Sequence, residues 1–172
     1  GKLIGNPERS EVSMRQETVH VFVFDTLSDC EPSYAVVGIN NAMFQLEPGR
    51  YVVRTVGLTR EPVTTMGGIT VLPDMELASL KPADSAMLIL PGGMAWEQGK
   101  HVEAVEKARE FVDAGVPVAA ICGATAALAA AGLLDTRRHT SNTCDYLKAT
   151  GYRGATLYQD EPALAKYNKL LR

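Results

Sequence analysis

The chain has 172 residues, 46% hydrophobic and 22% charged, which suits one domain with a full core. Seventeen Lys and Arg against 20 Asp and Glu leave a net charge of −3, with no basic excess to neutralise a phosphate backbone, so nucleic acid is excluded as a partner. A membrane is excluded on the same reading, because no apolar run reaches the roughly 20 residues of a span. The longest such run, at 116–134, is broken by Pro117, Gly123 and Gly132. The N-terminus lacks the charged-then-apolar order of a signal peptide, and three scattered cysteines make neither a disulfide framework nor a zinc motif. The expectation is a cytoplasmic single domain.

Residues 1–13 carry no periodicity and read as a tag remnant or loose arm, which leaves 14–172 as one α/β domain. Val19 to Phe24 is apolar on both faces except at His20, which predicts a strand buried on both sides, as in a parallel sheet covered by helices. Ser28 to Pro32 is a helix start signal, and Ala35, Val36, Ile39 and Met43 recur at helical spacing through 32–46. The β-branched run 51–58 predicts the second strand, and Pro62 to Leu72, centred on Gly67-Gly68, a hairpin excursion. Ala86 to Leu90 is a strand closed by Pro91-Gly92-Gly93. Val102, Val105, Ala108 and Val112 form one stripe over 101–114, stopped by Gly115. Val116 to Ile121 predicts a buried strand, and Gly123 to Ala131 an alanine-rich helix. A short helix over 142–149 and a last strand from Ala155 to Tyr158 follow, and beyond them Leu164, Tyr167 and Leu171 share a helical face.

This alternation implies an open, mostly parallel sheet with helices on both faces. Ligands of such sheets sit beyond the carboxyl ends of the strands, near a switch in strand order. Three strand ends here carry unusual chemistry: Asp25 to Glu31, Pro91-Gly92-Gly93, and Cys122-Gly123.

Cys122 stands where a buried strand runs into a helix with almost no loop. That connection forces the pivot residue into a strained conformation and requires small neighbours, here Gly123, Ala124 and Ala126, as in a nucleophile elbow. A helix N-terminus also favours the thiolate, the reactive form. The alternative is a small buried core cysteine. Glu31 begins the first helix and is placed to reach the space above Cys122 and hydrogen-bond its sulfur, the alternative being a solvated helix-start glutamate. Two glycines after Pro91 let backbone N–H groups face an oxyanion, unless the segment is a plain turn. Trp96 either walls that pocket or packs between helix and sheet. His20 lies inside a strand and His101 starts a surface helix, so His139 is the histidine best placed to approach Cys122, with a structural role as its alternative. Arg137 and Arg138 either bind an anion or are simply solvated.

Together these segments resemble the ThiJ/PfpI superfamily, the flavodoxin-like branch of class I glutamine-amidotransferase-like proteins. The likeness runs through Val21-Phe22-Val23-Phe24-Asp25 with Asp29-Cys30-Glu31, Leu88-Ile89-Leu90-Pro91-Gly92-Gly93, Ala119-Ala120-Ile121-Cys122-Gly123-Ala124, and Arg137 to Asn142. The resemblance implies that Glu31 is the family's glutamate, Cys122 its reactive cysteine, and Gly93 and Gly123 its backbone oxyanion donors. It also implies a homodimer, and an activity among glyoxalase, peptidase, stress-response and chaperone roles. Two departures stand out. Gly123 follows the cysteine directly, and Asn142 falls where relatives carry a histidine, with His139 shifted upstream. Relatives also continue with a further strand pair and a long helix; here Asp160-Glu161-Pro162 leads at once to 163–172, so either the chain is shortened or this segment replaces that cover. The expected partner is a small-molecule substrate, an aldehyde or amide, or else an oxidant. With no Gly-x-Gly-x-x-Gly or phosphate loop, no nucleotide, flavin or metal is expected.

Overall fold

Strands that are apolar on both faces can only be satisfied between two layers, and that is where they lie. The computed structural model describes residues 15–162. Strands β1 (Glu17–Phe22), β2 (Tyr51–Gly57), β5 (Met75–Glu76), β6 (Met87–Leu90) and β7 (Val118–Ala120) form one sheet in the order β5-β2-β1-β6-β7. All four pairings are parallel. The chain fills one side of β1 first and then crosses to the other, so the switch in strand order lies between β1 and β6. Between β2 and β5, strands β3 (Val63–Thr64) and β4 (Thr70–Val71) form the expected antiparallel hairpin.

The helices α1 (Ser33–Asn40), α2 (Val102–Asp113), α3 (Gly123–Ala130) and α4 (Cys144–Lys148) complete the fold. In α2 the inward stripe is Ala104, Val105, Ala108 and Phe111 rather than the expected Val102, Val105, Ala108 and Val112, since Val102 is exposed and Val112 half-buried, and Gly115 ends the helix at φ 77°. Helices α2 and α3 cover the sheet face made by Phe22, Val56, Leu88 and Leu90. Val36 and Ile39 of α1 pack on the opposite face, against Val19, Val21 and Ile89. Among the described residues no helix is long and apolar enough to cross a membrane.

Several expected boundaries move. The helix expected over 32–46 stops at Asn40, because Asn41 turns extended (φ −88°, ψ 116°) and its side chain takes the Met43 N–H, starting a separate turn at Ala42–Phe44. The expected last strand is a single helical turn, Ala155–Leu157, and only Tyr158 makes a bridge, to His139. Strand β5 has two residues, too few to show periodicity, and it is absent from the sequence reading. The arm at 1–13 and the face made by Leu164, Tyr167 and Leu171 lie outside the described residues.

Candidate active site

The cleft opens at the carboxyl ends of β1, β6 and β7, where three loops converge. Cys122 leaves β7 and caps α3 at φ 51°, ψ −119°, a left-handed conformation that side chains rarely adopt. The Thr125 hydroxyl bonds the Cys122 carbonyl at 2.6 Å and holds the elbow from within the helix. A Cβ at Gly123 would lie 3.2 Å from the Gly93 carbonyl and 3.4 Å from the Trp96 ring, a tight fit that favours glycine.

Gly93 is a glycine for the same kind of reason. A Cβ would meet the Phe24 ring at 2.6 Å and the Thr26 carbonyl at 2.7 Å. At Gly92 a Cβ would strike the Glu31 carboxyl, and Cys122 Cβ lies 2.9 Å from the same point. The Gly92 N–H donates to Glu31 Oε2 at 2.7 Å. Glu31 therefore fixes the Pro91-Gly92-Gly93 turn while lying within reach of the elbow. Gly93 and Gly123 line the cleft, and neither N–H donates to a backbone acceptor among the described residues. That leaves both available to an oxyanion.

The sulfur takes its hydrogen bond from Asn142, whose Nδ2 lies 3.3 Å from Sγ. This is the residue standing where the resemblance led us to look for a histidine. Its loop is anchored twice at Ser141: Ser141 Oγ lies 2.6 Å from Thr125 Oγ1, and the Tyr158 hydroxyl donates to the Ser141 carbonyl. The Thr125–Ser141 pair, which ties the asparagine to the elbow, went unnoticed in the sequence; its only trace there was the polar run Thr140-Ser141-Asn142.

The structure does not bring His139 to the sulfur as a base. It is buried, with Nδ1 2.6 Å from the Arg137 carbonyl and Nε2 2.9 Å from the Tyr152 hydroxyl, so both ring nitrogens are engaged. Burial, with Cys144 beside it, pushes the Tyr152 phenol up to about 12, so it stays protonated in this contact. His139 is a structural bracket for the loop behind Asn142. His20 is buried against the Ser85 hydroxyl at 2.8 Å. His101 does begin α2, at φ 63°, but its ring lies in an aromatic cluster with Phe22, Phe24 and Trp96 at centroid distances of 4.9–5.6 Å. Trp96 is 5% exposed and donates Nε1–H to the Pro91 carbonyl at 2.8 Å, so it supports the glycine turn from below and is not a pocket wall. Arg138 bonds Gln159, away from the cleft.

One wall of the cleft comes from the hairpin. Asp29 accepts the Gly67 N–H at 2.6 Å, the Leu27 carbonyl accepts the Met66 N–H at 2.8 Å, and Met66 is thereby held against the site. The Thr65 hydroxyl, assisted by the Gly67 N–H, lowers the Asp29 carboxyl below the ordinary range. Met94 and Glu97 also line this cavity of about 190 Å³, the size of a small molecule. Cys30 is exposed, its sulfur 3.5 Å from the Ser28 hydroxyl. Among the described residues no group of three or more His, Cys, Asp or Glu is arranged to hold a metal ion.

A sequence profile of the DJ-1/PfpI family matches residues 17–167. The chain is 36% identical over 158 residues to a Bacillus subtilis protein named uncharacterized protease YoaZ, covering 90% of this chain and 75% of that one. It is 35% identical over 98 residues, 56% of this chain and 59% of the other, to a Pyrococcus abyssi protein named a deglycase. The crystal structure of a ThiJ/PfpI family protein from Bacillus anthracis superposes with a TM-score of 0.78 at 40% identity, covering 88% of this chain and 73% of that one. The matched span holds the elbow, the glycine turn and the loop bearing Glu31, and the chain belongs to the DJ-1/PfpI family.

Proposed function

We propose that Cys122 is the nucleophile of an enzyme acting on a small carbonyl compound. The observation that carries this reading is the placement of one sulfur at a positive-φ elbow, beside the Asn142 amide and the unpaired Gly93 and Gly123 N–H groups. The thiolate adds to the carbonyl carbon, a C–S bond forms, and the π pair moves to oxygen. That oxygen takes its hydrogen bonds from the two glycine amides, and protonation gives a hemithioacetal. Asn142 donates to the sulfur and so orients it. Its amide does not titrate, so it takes no proton. Amide hydrolysis would need an acid for the departing amine. The imidazole nearest in sequence is committed to Arg137 and Tyr152, which favours aldehydes over peptides.

Methylglyoxal consumption tests the reading. Loss in Cys122→Ser with retention in Cys144→Ser supports it. A Cys122 that iodoacetamide alkylates no faster than free cysteine across the pH range defeats it. The same lack of an imidazole at the sulfur favours one other reading, in which peroxide oxidises Cys122 to the sulfinic acid and there is no turnover. Peptide mass spectrometry after mild peroxide, set beside the turnover assay, separates the two.

A further inference from the structure

Among the described residues the cleft carries negative side chains and no positive one: Glu31 lies against its floor, Glu97 stands at its mouth, and neither Lys nor Arg lines it. Glu97 is exposed, yet it is held, because the Tyr146 hydroxyl on α4 donates to Glu97 Oε1 at 3.4 Å. Tyr146 is half-buried, and its phenol is raised above the ordinary value by burial first, then by Glu97, Cys122 and Glu31. The phenol thus keeps its proton in the shared field of the three acidic groups, and the hydrogen bond to Glu97 keeps its direction. The rest of the rim is the thioethers of Met66 and Met94, which accept apolar groups of varied shape.

We propose that Glu97, positioned by Tyr146, is a specificity-determining residue that makes the cleft prefer uncharged or cationic small electrophiles to anionic ones such as 2-oxo carboxylates. The proposal rests on Cys122 being the reactive thiol. The Gly93 and Gly123 amides favour negative charge only at the reacting oxygen. A carboxylate at the mouth repels an anion along its whole approach, within a screening length of about 8 Å at physiological salt.

Methanethiosulfonates with a trimethylammonium-ethyl or a sulfonatoethyl tail isolate this effect. The thiolate attacks the sulfenyl sulfur of either reagent, forms a mixed disulfide and expels methanesulfinate, so only the tail charge differs. Rates at Cys122, read by peptide mass spectrometry, are divided by those of 2-mercaptoethanol in the same buffer. The cation-to-anion ratio should exceed the reference by about three- to ten-fold. It should drop towards the reference in Glu97→Gln, part of the way in Tyr146→Phe, and again in about 0.5 M salt. A ratio equal to the reference, or one that neither variant moves, overturns the assignment while leaving the nucleophile intact. A Cys122 that takes up neither these reagents nor the neutral methyl reagent overturns both.

Discussion

The cleft and the aromatic layer directly beneath it are built on opposite terms. Below, Phe22, Phe24, Trp96 and the His101 ring fill space with edge-on and stacked contacts at 4.9–5.9 Å, and Phe22 and Phe24 are at most 2% exposed. Above, there is a strained backbone at Cys122, glycines where any Cβ would collide, and polar groups open to solvent. The two are joined at three points. Trp96 holds the Pro91 carbonyl, Phe24 closes against Gly93, and Thr26, itself at φ 78°, accepts the Ala95 N–H at 3.1 Å. The contrast teaches that the conformation needed for chemistry is not stable locally; it persists because the packed layer leaves it no alternative.

Breaking the lower layer should have the largest effect. Trp96→Ala removes a buried ring and the bond to Pro91, and should cost about 3–5 kcal/mol of stability by urea unfolding. It should also slow Cys122 alkylation; an unchanged rate in the folded variant would show that the turn stands without Trp96. Next comes Gly93→Ala. Its methyl meets Phe24 and the Thr26 carbonyl, so unfolding should be easier by roughly 1–3 kcal/mol. Iodoacetamide alkylation of Cys122 should slow at the same time, as the turn packed beside the cysteine is displaced.

Relieving the strain runs the other way. Cys122→Gly should raise stability by about 1 kcal/mol over Cys122→Ala, because glycine adopts φ 51° freely and alanine does not. Equal stabilities for the two would mean that the strain relieved is no larger than the roughly 0.5–1 kcal/mol that glycine's freedom in the unfolded chain costs.

The smallest effect is on acid stability. Burial lowers the pKa of His20, against the opposing pull of Asp84, and of His101, where Glu103 and Asp25 oppose it and Lys100 adds to it. Both imidazoles therefore bind protons more weakly folded than unfolded. Their contribution is complete above the ordinary imidazole value of about 6.5 and is lost as pH falls through the depressed folded values. In His101→Asn, chosen because Asn tolerates a positive φ, the decline in Tm between about pH 7 and pH 5 should be shallower.

The legible parts of this site were those set by covalent connectivity. A buried strand running into Gly123 leaves Cys122 one conformation, and Pro91-Gly92-Gly93 announces a close approach whatever the partner is. The illegible parts depended on what lies across space. The spacing that marks Asn142 and Glu31 in sequence does not reveal that the asparagine takes the sulfur while the glutamate takes the Gly92 N–H. The position of His139 in the polar loop does not disclose that Arg137 and Tyr152 occupy both of its nitrogens. Glu97 and Tyr146, from a turn and a short helix, have no local signature at all.

By itself the amino-acid order determined the parallel sheet, the alternation of strands and helices and the elbow, because periodicity and chain stiffness act between near neighbours. Only the tertiary structure decided which polar atom meets which, and which side chains share one cleft. Those choices follow from how loops far apart in sequence fold over the strand ends, and no local propensity encodes such long-range contacts: Asn142 stands 20 positions from Cys122, and Glu31 61 from Gly92.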